Sequence, residues 1–159
     1  MKPLTLKTLL LTVGMMSTST WAITDAYKLM IIDDGDLANF IESGHYQKAL
    51  ESKSGKVDSP NALFVSEVNR CVANIRLSRY EEAETLCSKA LTFSNEMDVP
   101  AHTRKELTSF ALSNRAMARL KLSKHTAAIS DLYEASIMSP NSYVEANLQT
   151  AKNQMQLSD

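Results

Sequence analysis

The sequence predicts an all-α protein of stacked antiparallel helical hairpins, and three observations support this fold class. The chain of 159 residues has only four glycines and 6% aromatic residues, which favours helix over sheet because strands rely on aromatic and β-branched side chains. Apolar residues recur at helical spacing in several segments. Short turns separate these segments, so consecutive helices are expected to run antiparallel. The length allows one domain.

The first 22 residues have the features of a secretory signal peptide. Lys2 and Lys7 form a basic start, residues 9–16 form an apolar stretch, and small or polar residues lead to a predicted cleavage between Ala22 and Ile23. The apolar stretch is shorter than the roughly 20 residues that span a bilayer, so we expect no membrane span in the mature chain. The residue directly after the cleavage site is Ile23 and not a cysteine, so a lipid anchor is not expected. These features predict a periplasmic or secreted protein, with an uncleaved N-terminal anchor as the alternative.

Residues 23–36 are predicted to form an extended segment before the helices. The compact apolar run at residues 27–32 ends at a turn cluster, which favours a strand or an extended chain. Asp36 is expected to cap the first helix. A cation site formed by Asp33, Asp34 and Asp36 is the alternative to a turn and helix cap.

Residues 37–157 form the predicted helical domain. Its parts are a degenerate repeat at 37–54, two repeats at 60–93 and 100–138, and a C-terminal capping helix at 142–157. Ser59 followed by Pro60 is typical of an N-cap and a first-turn proline. Pro100 is expected to open a long helix that ends near Leu122.

The chain repeats itself at an offset of 45 residues. Residues 69–73 (NRCVA) recur as residues 114–118 (NRAMA), and such similarity at a fixed period is typical of helical repeat proteins. The same offset pairs alanines, Ala83 with Ala128 and Ala90 with Ala135. Small residues at these positions would let two helices approach closely.

These two copies resemble tetratricopeptide repeats (TPR), a family of helix A–turn–helix B units of about 34 residues. The four alanines occupy the small positions of helix B. The other matching positions are Cys71 and Ala116 in helix A, Tyr80 in the turn, and Pro140 after helix B. The resemblance covers roughly residues 37–155. The sequence departs from the family in its longer spacing and in His125, which replaces the turn aromatic of the second copy.

Two cysteines are placed to face each other across a helical hairpin. Residues equidistant from the turn of a hairpin are opposite one another, and Cys71 and Cys87 lie eight residues before and after Arg79. Because an exported chain meets an oxidising compartment, we predict a Cys71–Cys87 disulfide. It would stabilise the fold by about 3 kcal/mol in the chain-entropy model. Two buried free thiols are the alternative.

The sequence contains no pattern that indicates catalysis or metal binding. The three histidines are scattered, and zinc, calcium-loop, nucleophile-elbow and phosphate-loop motifs do not occur. We therefore expect no enzyme, no cofactor and no metal. The formal net charge of −1 also argues against nucleic-acid binding, which needs a basic surface.

The resemblance implies a partner-binding groove lined by the A helices. The implied residues are Val65, Val68, Asn69, Val72, Ile75, Arg76, Phe110, Ser113, Asn114, Met117, Leu120 and Lys121. An apolar set with a few polar anchors suits a peptide. The alternative is that the same stripe is core, covered by residues 27–32 of the chain itself.

The predicted function is a non-enzymatic protein–protein interaction module of the periplasm or cell exterior. It would bind a peptide or protein partner on the face of the A helices, and the sequence leaves homo-oligomerisation open. One alternative is a structural component of an envelope assembly. Another is a small-ligand binder or an enzyme with an unrecognised site.

Overall fold

The computed structural model describes residues 27–33, 35–52 and 58–156, which form an all-α protein. The helices are α1 (Asp36–Glu42), α2 (Tyr46–Glu51), α3 (Pro60–Arg76), α4 (Tyr80–Phe93), α5 (Ala101–Lys121), α6 (His125–Met138) and α7 (Ser142–Gln156), with a 3-10 helix (Ser94–Glu96) after α4. None of the helices in these three ranges has the length and hydropathy needed to cross a bilayer. The predicted signal peptide and its cleavage site between Ala22 and Ile23 lie outside the described residues.

Consecutive helices pack against each other, and every second helix forms a layer. The pairs α1–α2, α3–α4, α5–α6 and α6–α7 are in contact. So are α1 with α3, α3 with α5, and α5 with α7. We call α1, α3, α5 and α7 the A helices. Their shared surface carries residues 27–33, which we call the N-terminal segment.

The turns that follow α1, α3 and α5 have the same backbone conformation. In the turn after α3, the N–H of Arg79 donates to the carbonyl of Asn74, and the N–H of Ser78 donates to that of Ile75. These are the two bonds of a Schellman motif, and the corresponding bonds close the other two turns. In each turn one residue has a positive φ: Gly44 (76°), Ser78 (60°) and Ser123 (58°). Glycine adopts this conformation freely, whereas a side chain makes it costly.

The predicted disulfide is present and joins α3 to α4. Cys71 and Cys87 are fully buried, with their sulfurs 2.18 Å apart and their Cα atoms 5.4 Å apart. The alanines paired by the 45-residue offset are also fully buried: Ala83, Ala90, Ala128 and Ala135. Small side chains thus lie where the B helices α4 and α6 are most enclosed, which is consistent with close helix packing.

An ion-pair network connects α4, α5 and α6. Asp131 of α6 accepts hydrogen bonds from Arg115 at 2.8 and 2.9 Å and from Arg119 at 2.8 Å. Arg119 also donates to Glu84 of α4 at 2.9 Å, and Lys124 pairs with the other oxygen of Glu84. Burial acts to raise the pKa of Glu84, but hydrogen bonds and positive charge from Lys124 and Arg119 outweigh it, so the pKa lies below its usual value.

Three helix ends differ from the sequence prediction. Asp36 is the first residue of α1 instead of its N-cap, and Gly35 (φ 85°) occupies the cap position. The reason is a local turn, in which the Asp33 carboxylate accepts the N–H of Gly35 at 3.1 Å. Pro100 is the N-cap of α5 and not part of the helix. The degenerate repeat was predicted to extend to residue 54, but its second helix ends at Glu51 because Ser52 is extended.

Candidate functional site

The N-terminal segment crosses the A helices and is held by one asparagine from each of α3, α5 and α7. In every pair the side-chain Oδ1 accepts a hydrogen bond from a backbone N–H, and Nδ2 donates to the carbonyl of the same residue. The pairs are Asn147 with Lys28 (2.7 and 2.8 Å), Asn114 with Met30 (3.0 and 2.8 Å) and Asn69 with Ile32 (2.9 and 2.6 Å). We call these asparagines the asparagine ladder. Because the ladder meets alternate residues from one side, the segment is extended.

Asparagine suits this role because its side-chain amide resembles a peptide group. It provides an acceptor oxygen and a donor NH₂ group, so one side chain binds both polar groups of a backbone residue. All three ladder asparagines are fully buried, and a buried polar group without a partner costs about 1–3 kcal/mol. The segment satisfies them with main-chain atoms. The ladder therefore binds an extended backbone and places no demand on its side chains.

The side chains of Met30 and Ile32 pack with residues that precede the ladder positions in their helices. Met30 is buried in a cluster with Leu112 of α5 and Val144 of α7. Ile32 packs against the cluster that contains Val68 of α3. We call this side of the groove the N-terminal wall, because it is built from the earlier turns of the A helices.

Odd-numbered side chains contact residues that follow the ladder positions. Tyr27 and Leu29 pack in the cluster that contains Ile75 of α3 and Met117 of α5, and we call this side the C-terminal wall. The Tyr27 hydroxyl donates to Oε1 of Gln154 at 2.5 Å, and burial raises the pKa of Tyr27 above its usual value. The segment is thus fixed by side chains on both walls as well as by the ladder.

The twelve predicted partner-binding residues all belong to α3 and α5. Two of them, Asn69 and Asn114, are ladder residues that hydrogen-bond the chain's own backbone. Seven are buried with the segment in place: Val68, Asn69, Val72, Ile75, Ser113, Asn114 and Met117. Four are half-buried, Val65, Phe110, Leu120 and Lys121, and Arg76 is exposed. Of the two arrangements considered from the sequence, the structure has the one in which residues 27–32 cover the apolar stripe.

The third ladder residue, Asn147, was absent from the predicted set. It lies three residues after Val144 and four before Ala151, so it interrupts an apolar stripe on α7 with a polar side chain. A polar residue within this apolar stripe was the sequence signal that could have identified Asn147 as a buried hydrogen-bonding residue. Its amide also donates to Ser113 Oγ at 3.0 Å, which ties α7 to α5 at the groove.

The opposite edge of the N-terminal segment has no main-chain partner among the described residues. Successive residues of an extended chain direct their polar backbone groups to opposite edges, so those of Leu29 and Ile31 point away from the ladder. Neither residue forms a hydrogen bond with any part of the chain that the structure describes. We call these backbone groups the outer edge. A cavity of about 580 Å³ adjoins residues 27–31 and is also lined by Glu42, Arg76, Phe110 and Tyr143.

Comparison of the chain with protein-family models, curated proteins and solved structures yields no match. Within residues 27–33, 35–52 and 58–156, no group of three or more His, Cys, Asp or Glu side chains could hold a metal ion. The candidate site combines a buried asparagine ladder that binds main chain, an outer edge without a partner among the described residues, and a cavity between the two walls.

Proposed function

We propose that this protein is an exported, non-enzymatic protein–protein interaction module that binds an extended stretch of a partner on the face of the A helices. The observation that carries this proposal is that the asparagine ladder holds residues 28–32 as an extended chain beside an open cavity. Three buried amides meet alternate residues of an extended chain, and main-chain hydrogen bonds of this kind are the basis of extended-peptide recognition. A groove that already organises one extended chain is suited to hold extended protein.

The proposed architecture is a short TPR-like solenoid of two to three helical hairpins. The equivalent turns after α1, α3 and α5 and the buried alanines of α4 and α6 support it. Asn69 and Asn114 also occupy the same place in two successive repeats. Stacked repeats present one kind of contact at regular intervals along an extended binding surface, which accounts for a ladder that follows an extended backbone.

Export is supported by the signal-like first 22 residues and by the disulfide, since disulfides persist in oxidising compartments. Cleavage after Ala22 would make Tyr27 the fifth residue of the mature chain. The intact mass of the protein in an extracytoplasmic fraction tests this. We expect a chain that begins at Ile23, and a cytoplasmic protein that retains residues 1–22 would contradict it.

Selection of random nonapeptides displayed on phage, against the disulfide-bonded mature protein, tests peptide binding. We expect enriched peptides that lose at least tenfold in affinity on Tyr143→Glu, because Tyr143 is 56% exposed at the cavity. The matched control is Thr85→Glu, an exposed position on α4, which should leave the affinity within twofold. Failure to enrich any peptide, or equal loss in both variants, would contradict the proposed function.

A further inference from the structure

We propose that the partner does not replace the N-terminal segment but pairs with its outer edge as an added β-strand. This inference rests on the proposed function and specifies the atoms that receive the partner. The binding unit would then be a two-stranded ribbon, with the chain's own segment as the inner strand on the asparagine ladder and the partner as the outer strand.

The outer edge carries main-chain donors and acceptors that a second extended chain can hydrogen-bond. Leu29 and Ile31 are two residues apart, and each directs an N–H and a C=O toward the cavity side of the segment. Both residues are half-buried, and both line the cavity. An extended peptide offers donors and acceptors at the same two-residue spacing, and strand addition to an exposed edge is an established mode of peptide binding. A cavity of about 580 Å³ leaves room beside this edge.

Addition is favoured over replacement because the ladder is already satisfied. A partner that displaced the segment would have to supply six hydrogen bonds to the ladder asparagines. It would also expose Tyr27 and Met30, which are buried. The segment is joined to α1 by a short connection, so its effective concentration at the ladder is high. A partner that adds to the outer edge leaves the ladder hydrogen bonds intact and keeps Tyr27 and Met30 buried.

The two walls indicate which side chains the partner carries. Residues opposite each other in a strand pair place their side chains on the same face, so the partner's side chains would alternate between the walls. The cavity side of the N-terminal wall carries Phe110 and Tyr143, which suit an apolar residue. On the other side, Arg76 lines the cavity together with Glu42, the one acid among the described residues that line it. Lys121 lies next to Arg76 in a smaller adjoining pocket. Arg76 is exposed and forms no ion pair with the described residues. The structure thus favours an extended peptide that alternates apolar and acidic residues.

The test compares proline and alanine at position 31, with the phage-selected peptides as probes in a fluorescence titration of the mature protein. Proline removes the outer-edge N–H of Ile31 and puts a ring in its place, while the ladder-bound N–H groups of Met30 and Ile32 remain. We expect Ile31→Pro to weaken binding at least tenfold. Ile31→Ala keeps the N–H, so the expected loss of affinity is less than threefold.

A second phage selection, against Arg76→Glu, tests the charge of the partner. We expect it to enrich peptides with basic residues at the alternate positions where the wild type enriches acidic ones.

Hydrogen exchange of the wild-type protein provides a readout that does not depend on how the proline variant folds. Addition of peptide should slow exchange at Leu29 and Ile31 while Lys28, Met30 and Ile32 stay protected. Loss of protection at those three residues would mean replacement, and it would overturn this inference while leaving the proposed function standing. Equal binding by Ile31→Pro and Ile31→Ala would do the same. Absence of any selected peptide would overturn both proposals.

Discussion

Asn69 and Asn114 are 45 residues apart in the sequence, yet they bind residues of the N-terminal segment that are only two positions apart. Each accepts the N–H and binds the carbonyl of one residue, Ile32 and Met30 respectively. Equivalent positions in two successive helical repeats therefore bind the segment's main chain at a regular two-residue spacing. Asn147 on α7 extends the set by one further step to Lys28.

Replacement of a ladder residue should loosen the segment and lower stability. Asn114→Ala removes both hydrogen bonds of Met30, which is buried in the wild-type fold. Because the backbone groups of Met30 would then lack partners, we expect the free energy of unfolding to fall by about 2 kcal/mol. Urea denaturation measures it. Asn39→Ala, at an exposed site on α1, is the control, and an equal effect of the two substitutions would contradict the role of the ladder.

Loss of the disulfide should destabilise the protein substantially. The Cys71–Cys87 bond closes a loop with a sequence separation of 16, and for a loop of this size the chain-entropy model gives about 3 kcal/mol. The double variant Cys71→Ala/Cys87→Ala should lose about that much in a denaturant titration. Thiol alkylation of the exported wild type, read by mass spectrometry without reductant, should find no free thiol. Two alkylated cysteines would disprove the disulfide in the native protein.

Glycine at the turn after α5 should stabilise the fold. Ser123 has φ 58°, a conformation that costs a residue with a side chain roughly 1 kcal/mol. Gly44 occupies the same place in the first turn without that cost. We expect Ser123→Gly to raise the free energy of unfolding by about 1 kcal/mol in thermal and urea unfolding. Ser130→Gly, exposed inside α6, should instead lower it by about 0.5 kcal/mol. If both substitutions were destabilising, the positive φ of Ser123 would not be a source of strain.

The ion pairs of Glu84 should make stability fall in acid. The folded-state pKa of Glu84 lies below its unfolded value, so its contribution is complete above the unfolded pKa and is lost as the pH drops through the folded pKa. The difference in unfolding free energy between wild type and Glu84→Gln should therefore be largest at neutral pH and shrink toward pH 3. Urea unfolding across that range measures it, and a difference independent of pH would exclude this contribution.

Local signals in the sequence predicted local structure well. Ser59 and Pro60 begin α3, with Ser59 Oγ accepting the N–H of Ala62, because capping depends on neighbouring residues alone. Cys71 and Cys87 could be paired because a hairpin fixes which residues are opposite. At α1 the predicted N-cap, Asp36, is wrong. Asp33 forms a turn with Gly35, and Gly35 occupies the cap position.

Contacts between distant parts of the chain were harder to predict. Helical periodicity identified the apolar face of α3 and α5, but it shows only which face avoids water and not what covers it. The apolar run at residues 27–32 indicated an extended chain without indicating the helices that receive it. Asn147 was missed because the repeat that relates Asn69 to Asn114 does not continue into α7 at the same spacing.

Amide hydrogen exchange across residues 28–32 of the free mature protein, measured by NMR, shows whether the N-terminal segment lies on the asparagine ladder. The structure predicts alternation, with slow exchange at Lys28, Met30 and Ile32, whose N–H groups are bound by Asn147, Asn114 and Asn69. Leu29 and Ile31 should exchange quickly. Uniformly fast exchange across all five residues would show that the segment does not lie on the ladder, and it would contradict the binding site proposed above.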